Sequence, residues 1–257
     1  MVESDIIKRV RFHGRGGQGM KTASRIVGTA AFMEGYYAQD FPVYGAERRG
    51  APIMAFTRMS DSPILERGII TRPDINIIAD ETLLNDNAAN VLQGTGNGTV
   101  TMVNTHYSPS HVKEAFDVNG EVTTVDITET VLKIINKPAL SSVAAACACK
   151  LTGMISKNTL EKAVIRELTD IHLKRESISK NVEAALICFD NTPDITTSGI
   201  KTSEGYNGNR IVKMEYANPR VGTPSVYAMG NTIDKKTGNW RLYKPVIDYE
   251  ECSMCRA

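Results

Sequence analysis

Three clusters in this chain hold residue types and spacings that could do chemistry. The first is Gly14-Arg15-Gly16-Gly17-Gln18-Gly19, which fits G-x-G-x-x-G. Glycines at such a turn accept positive φ and let a ligand approach the backbone closely. If a helix starts there, its free N–H groups and positive dipole end suit an anion. Arg15 and Lys21 would add charge beside it. The spacing alone is a weak signal, because a tight strand-to-helix turn needs glycine for steric reasons too. The second cluster is Tyr44-Gly45-Ala46-Glu47-Arg48-Arg49-Gly50, where paired arginines could hold a phosphate or carboxylate bidentately or face another subunit. The third is Cys252-Ser253-Met254-Cys255. Two thiolates at that spacing open the iron–sulfur motif C-x2-C-x2-C-x3-C, and they equally suit a redox pair or half a zinc site.

Elements that would position these residues are legible around them. Val10 and Phe12 alternate as in a strand, and Ala23, Ile26, Val27, Ala30 and Ala31 recur at helical spacing. The glycines therefore fall at a strand-to-helix turn. Tyr36–Asp40 reads as a second strand, with Asp40 near the place of a Rossmann ribose-binding acid, although Phe41-Pro42 and the arginine-rich loop follow at once. Ala51–Arg58 alternates as a strand, and Ile69–Thr71 offers a short extended piece. Ile75–Ala79 is an apolar run of the kind buried on both faces, ending at Asp80, with a helix expected over Thr82 to Val91. Further strands are expected at Thr99–Val103 and Glu121–Val125, and helices at Ile127–Asn136 and from Leu140 to about Cys188. The alternation predicts an α/β fold, a three-layer α/β/α sandwich with a largely parallel sheet. Ligands of such sheets gather at the carboxyl ends of the strands, where Gly14 to Gly19, Asp80 and Asn104 fall. Phe189 to Asn209 breaks into small polar residues and reads as a linker (191–209) between a domain at 1–190 and a second module at 210–257.

Together, His13-Gly-Arg-Gly-Gly-Gln-Gly19 and Phe41-Pro-Val-Tyr-Gly-Ala-Glu-Arg-Arg-Gly-Ala-Pro52 resemble the gamma subunit, or gamma domain, of the pyruvate/2-oxoacid:ferredoxin oxidoreductases. The resemblance runs through Pro73–Asp80 and covers about the first 190 residues, and Gly238–Cys255 looks like the opening of the same family's delta, ferredoxin-type module. It implies a subunit of a complex that oxidatively decarboxylates a 2-oxoacid: pyruvate, or a relative such as 2-oxoglutarate, a branched-chain oxoacid or oxalate. Thiamine diphosphate and Mg2+ would then sit in partner alpha and beta subunits, coenzyme A would usually take the acyl group, and 4Fe-4S clusters would pass electrons to ferredoxin. Cys252 and Cys255 would ligate one such cluster, the third cysteine of the motif falling just past Ala257. The glycine turn with Tyr44, Glu47, Arg48 and Arg49 would face the partner's active site or the coenzyme A phosphates. A stand-alone nucleotide- or coenzyme A-binding module is the competing reading.

Composition narrows the rest. A net charge of +1, with 23% charged residues, gives no global field for nucleic acid or membrane. No stretch approaches the roughly 20 apolar residues of a membrane span, and Met1–Val10 does not read as a secretory signal, so a cytoplasmic location is expected. Five cysteines do not make a disulfide framework. Cys147, Cys149 and Cys188 lie in helical runs and read as small packed hydrophobes. His13 is expected to pack under the glycine turn with its nitrogens satisfied, while His106 and His111 lack metal-site spacing.

Overall fold

A computed structural model of the chain describes residues 7–43, 50–87 and 89–195. The chain divides into two compact units, Met1–Ser203 and Glu204–Ala257. Tyr44, Glu47, Arg48, Arg49, Cys252 and Cys255, most of the linker and the whole ferredoxin-like stretch lie outside the described residues.

The elements are β1 (Ile7–Arg15), α1 (Met20–Met33), β2 (Tyr37–Pro42), β3 (Pro52–Ser60), β4 (Ile75–Ile78), a 3-10 turn (Glu81–Asn85), β5 (Val100–Val103), α2 (Pro109–Ala115), β6 (Glu121–Thr124), α3 (Ile127–Ile134), α4 (Ser141–Thr152), α5 (Lys157–Asp170) and α6 (Arg175–Asn191). Six strands form one sheet in the order β2-β3-β1-β4-β5-β6. The run β1-β4-β5-β6 is parallel, as the helical alternation requires. β3 pairs antiparallel with both β1 and β2, so the sheet is mixed at one edge. The connection between β2 and β3 is too short for a helical crossover, which is why this pair runs antiparallel.

The two faces of the sheet differ. Val10, Phe12, Ala55, Met59, Ile75, Ile77, Val100 and Met102 face a large core shared with the helices from α1 and from Ile127 onward. The opposite face carries a smaller cluster of Ile78, Leu83, Val91, Val103, Val112, Val118 and Val122. α4 is buried on every side, and its run of alanines and cysteines lets α1 and α6 approach it closely. Cys147, Cys149 and Cys188 are free and buried there, and burial raises all three thiols, Cys188 to about 11. These cysteines pack, as expected from the sequence.

Two expectations fail on the side of the smaller cluster. The stretch after Asp80 forms only a 3-10 turn and then irregular turns, in place of a helix reaching Val91. Asn85, Asp86 and Asn87 compete with helical hydrogen bonding, and the Asp86 carboxylate accepts from the Ala89 N–H at 3.3 Å. Ile69–Thr71 forms no strand either.

α1 is fastened to α5 by a buried carboxylate. Glu167, 3% exposed, accepts from Thr29 Oγ1 at 2.6 Å and meets Arg25 Nε at 2.6 Å. Glu167→Ala removes both bonds, while half-exposed Arg25 can turn to water. The expected loss is about 1–3 kcal/mol, read from denaturant midpoints. A loss within measurement error would show that the fastening is idle.

Candidate functional site

The glycine turn is held on three sides. β1 reaches Arg15 opposite Pro52, and beyond it Gly16 N–H donates to Ala51 O at 2.8 Å while Gly50 N–H donates to Gly16 O at 3.1 Å. The turn is thus stitched to the entrance of β3. Within it, Arg15 N–H donates to Gln18 Oε1 at 2.7 Å and Gln18 N–H to Arg15 O at 2.9 Å. Gln18 Nε2 then reaches Asp80 Oδ2 at 2.9 Å, joining the end of β1 to the end of β4.

Asp80 is the hub of that clamp. It pairs with Arg15 Nε at 3.3 Å and accepts from Thr82 N–H at 3.1 Å, so it also caps the 3-10 turn. Partial burial pushes its carboxyl up, but the bonds from Thr82 and Gln18 and the Arg15 charge outweigh this and leave it below its ordinary value. Arg15 also donates to Thr82 Oγ1 at 2.7 Å and to Gly50 O at 3.2 Å. Its charge is therefore largely spent on Asp80 rather than presented beside the turn. Sequence reading placed Asp80 at this edge but missed the clamp; the only signal was a threonine two residues after an aspartate at a strand end.

The glycines do different work. A Cβ on Gly14 would lie 2.6 Å from Met20 Cγ, and one on Gly19 would lie 2.9 Å from Ser141 Cβ. Gly19 has φ +83 and caps α1, so it sets both the chain reversal and the approach of α1 to the start of α4. Gly17 has φ +99, and among the described residues nothing lies within 4 Å of a Cβ added there. α1 and α4 begin side by side, both without a side-chain cap and without an acidic residue in the first turn. Their unsatisfied N–H groups and dipole ends make this the electropositive corner of the sheet's carboxyl edge.

Other expected residues lie elsewhere or are committed to structure. Asp40 stands at the level of Thr57 and Val10, and a Cβ on Gly28 of α1 would come within 3.2 Å of it, so it is well back from the glycine turn. Asn104 accepts from Ile127 N–H at 3.1 Å and Thr128 N–H at 3.3 Å and donates to Ala79 O at 2.8 Å, so it ties the start of α3, which Asp126 caps, to the end of β4. His13 is 1% exposed, as packing under the turn requires, yet among the described residues its Nε2 has no hydrogen-bond partner, where satisfied nitrogens were expected. Burial, reinforced by Arg11, lowers its pKa to about 3 and keeps it neutral. His106 and His111 flank the Tyr107 ring at 4.2 and 4.7 Å in an exposed stack. Among the described residues no group of three or more His, Cys, Asp or Glu could hold a metal ion, and no helix is long and apolar enough to cross a membrane.

A mixed six-stranded sheet with helices packed on it and a hydrogen-bonded glycine turn at the carboxyl end of β1 defines an α/β domain. The chain belongs to the pyruvate ferredoxin/flavodoxin oxidoreductase family, whose pattern matches residues 9–190, and within it to the gamma subunits. It is 36% identical over 189 residues to the pyruvate/ketoisovalerate oxidoreductases common subunit gamma of Thermococcus kodakarensis, covering 71% of this chain and 96% of that one. Against the pyruvate synthase subunit PorC of Methanocaldococcus jannaschii it is 36% identical over 181 residues, covering 70% and 94%. The crystal structure of the pyruvate oxidoreductase subunit PORC of Thermotoga maritima superposes with a TM-score of 0.61 at 30% identity, over 72% of this chain and 96% of that one. The 2-oxoglutarate:ferredoxin oxidoreductase of Magnetococcus marinus shares the fold alone, with a TM-score of 0.53 at 17% identity over 75% of this chain and 32% of that one.

Proposed function

We propose that this chain is the gamma component of a complex that oxidatively decarboxylates a 2-oxoacid, pyruvate or a close relative, and passes the electrons to ferredoxin. The observation that carries this reading is the match over nearly the whole length of gamma subunits of pyruvate oxidoreductases. Thiamine diphosphate and Mg2+ belong, on this reading, to alpha and beta partners. Thiamine diphosphate supplies the electron sink that lets the carboxylate leave as CO2. On this reading the chain contributes Gly14 to Gly19, clamped by Asp80, together with Tyr44, Glu47, Arg48 and Arg49 from the sequence between β2 and β3.

These residues face either the partner's active site or the phosphates of coenzyme A, since the paired starts of α1 and α4 and two arginines favour an anionic neighbour. Arg48→Ala Arg49→Ala is expected to slow acyl-coenzyme A formation or loosen the complex about tenfold or more, read by steady-state turnover and by co-purification of the partners. Full assembly and unchanged turnover would sink the role of these arginines. Native purification without oxygen tests the wider reading: a brown complex containing thiamine supports it, and a colourless monomer favours a stand-alone nucleotide- or coenzyme A-binding module.

An iron–sulfur cluster fits none of the described cysteines, whose thiols are buried and held protonated. Cys252 and Cys255 are the candidates, as two of four thiolate ligands to one 4Fe-4S cluster. In the protein with whatever sequence follows Ala257, Cys252→Ala Cys255→Ala is expected to lose that cluster's iron and sulfide, and ferredoxin reduction with them. Iron content and a reduced-state paramagnetic signal at wild-type levels would rule the ligands out.

A further inference from the structure

The smaller face of the sheet buries more polar groups than it satisfies. Arg11 on β1, Asn76 on β4 and Thr101 on β5 are register partners across three adjacent strands, and they are 4%, 0% and 0% exposed. Arg11 lies across its neighbour: Nε donates to Asn76 Oδ1 at 3.2 Å and Nη2 to Val91 O at 3.0 Å. Asn76 Nδ2 donates to the same Val91 carbonyl at 3.0 Å. The guanidinium is thereby carried over β4 toward β5, where Thr101 follows Asn76 in the row. His13 stands two residues along β1 on the same face, close enough for the Arg11 charge to help keep it neutral.

Two buried atoms in this group have no partner among the described residues, His13 Nε2 and Thr101 Oγ1. Among the described residues Arg11 has no carboxylate to balance it either: both of its hydrogen-bond acceptors are neutral, and burial lowers its pKa to about 10. A buried cation without an anion is costly, and so is each buried polar atom left without a bond. Both unpartnered atoms can act as donors beside the guanidinium: threonine O–H, and imidazole Nε2–H when that nitrogen carries the proton. One surplus positive charge and two buried donors specify a ligand that is small, monovalent and negative.

We propose that Arg11, His13 and Thr101 form a buried site for a small monovalent anion of the halide class, under the smaller face of the sheet. The anion balances the Arg11 charge, accepts from Thr101 Oγ1 and His13 Nε2–H, and fastens the irregular stretch that supplies Val91 O. The site lies on the sheet rather than on the glycine turn, so it stands whether or not that turn meets coenzyme A or a partner.

The test uses the full chain and two halides. Thermal unfolding in sodium chloride is compared with sodium gluconate at equal ionic strength, and chloride is expected to raise Tm by about 2–4 °C at saturation. Thr101→Val keeps the shape of the side chain but removes the donor, and should lose at least half of that rise. Arg11→Met should lose all of it, if that variant folds. Crystals grown in sodium bromide should show an anomalous peak in contact with the Arg11 guanidinium and Thr101 Oγ1. Only an ordered water there, or a chloride effect of equal size in Thr101→Val, overturns the proposal.

Discussion

Gly94→Ala is expected to destabilise the domain by about 3 kcal/mol or more, among the largest effects of any single methyl group in the chain. Gly94 has φ +73, and an added Cβ would lie 1.9 Å from the Thr71 carbonyl oxygen. That neighbour is backbone and cannot swing aside, so either strand-flanking segment must move. Left-handed φ adds its own cost for alanine. The movement would reach the smaller face, because the stretch leading to Gly94 supplies Val91 O to both Arg11 and Asn76. Gly17→Ala is the matched control: its φ is +99, but among the described residues nothing lies within 4 Å of the added Cβ. Denaturant midpoints should separate the two by at least about 1 kcal/mol. Equal losses would mean that backbone strain, and not the close approach to Thr71, sets the cost.

The contrast between these glycines marks what the sequence could reveal. Hydrophobic periodicity located β1, α1 and the glycine turn, because a core-facing strand and an amphipathic helix leave patterns of period 2 and 3.6. Nothing local distinguishes Gly14 and Gly19, where an added Cβ would meet Met20 and Ser141, from Gly17, where it would meet none of the described residues. The antiparallel placement of β3 followed from a connection without a crossover helix, and it was legible in principle. Two other features were not. Arg15 reads as a free cation until Asp80, sixty-five residues on, is brought beside it by the parallel pairing of β1 with β4. Nothing in the sequence joins Arg11, Asn76 and Thr101 into a row until β1, β4 and β5 are set side by side in register and the stretch around Val91 covers them. Both depend on long-range register, which periodicity does not encode. The helix expected over Thr82 to Val91 failed for a local reason, the side-chain competition of Asn85, Asp86 and Asn87.

His13 should make the acid limb of the stability curve steep. Its ordinary pKa is 6.5, and burial with the Arg11 charge beside it lowers the folded value to about 3. Below pH 6.5 the unfolded chain takes up a proton that the folded chain refuses. The stability contributed by a neutral, buried His13 is therefore fully present above pH 6.5 and is lost as the pH falls toward 3. Each unit within that window is worth at most about 1.4 kcal/mol, so roughly 2–3 kcal/mol should disappear between pH 6.5 and 4.5. Asp74, whose carboxyl burial raises above its ordinary value, works in the opposite sense. The decisive quantity is accordingly a difference of slopes. In gluconate, where no halide can occupy the neighbouring donors, His13→Gln should flatten the pH dependence of the unfolding free energy by about one proton's worth between pH 6 and 4. Parallel curves for the wild type and His13→Gln would show that His13 takes its proton as readily in the folded chain as in the unfolded one, and that the polar row beneath the sheet is open to water after all.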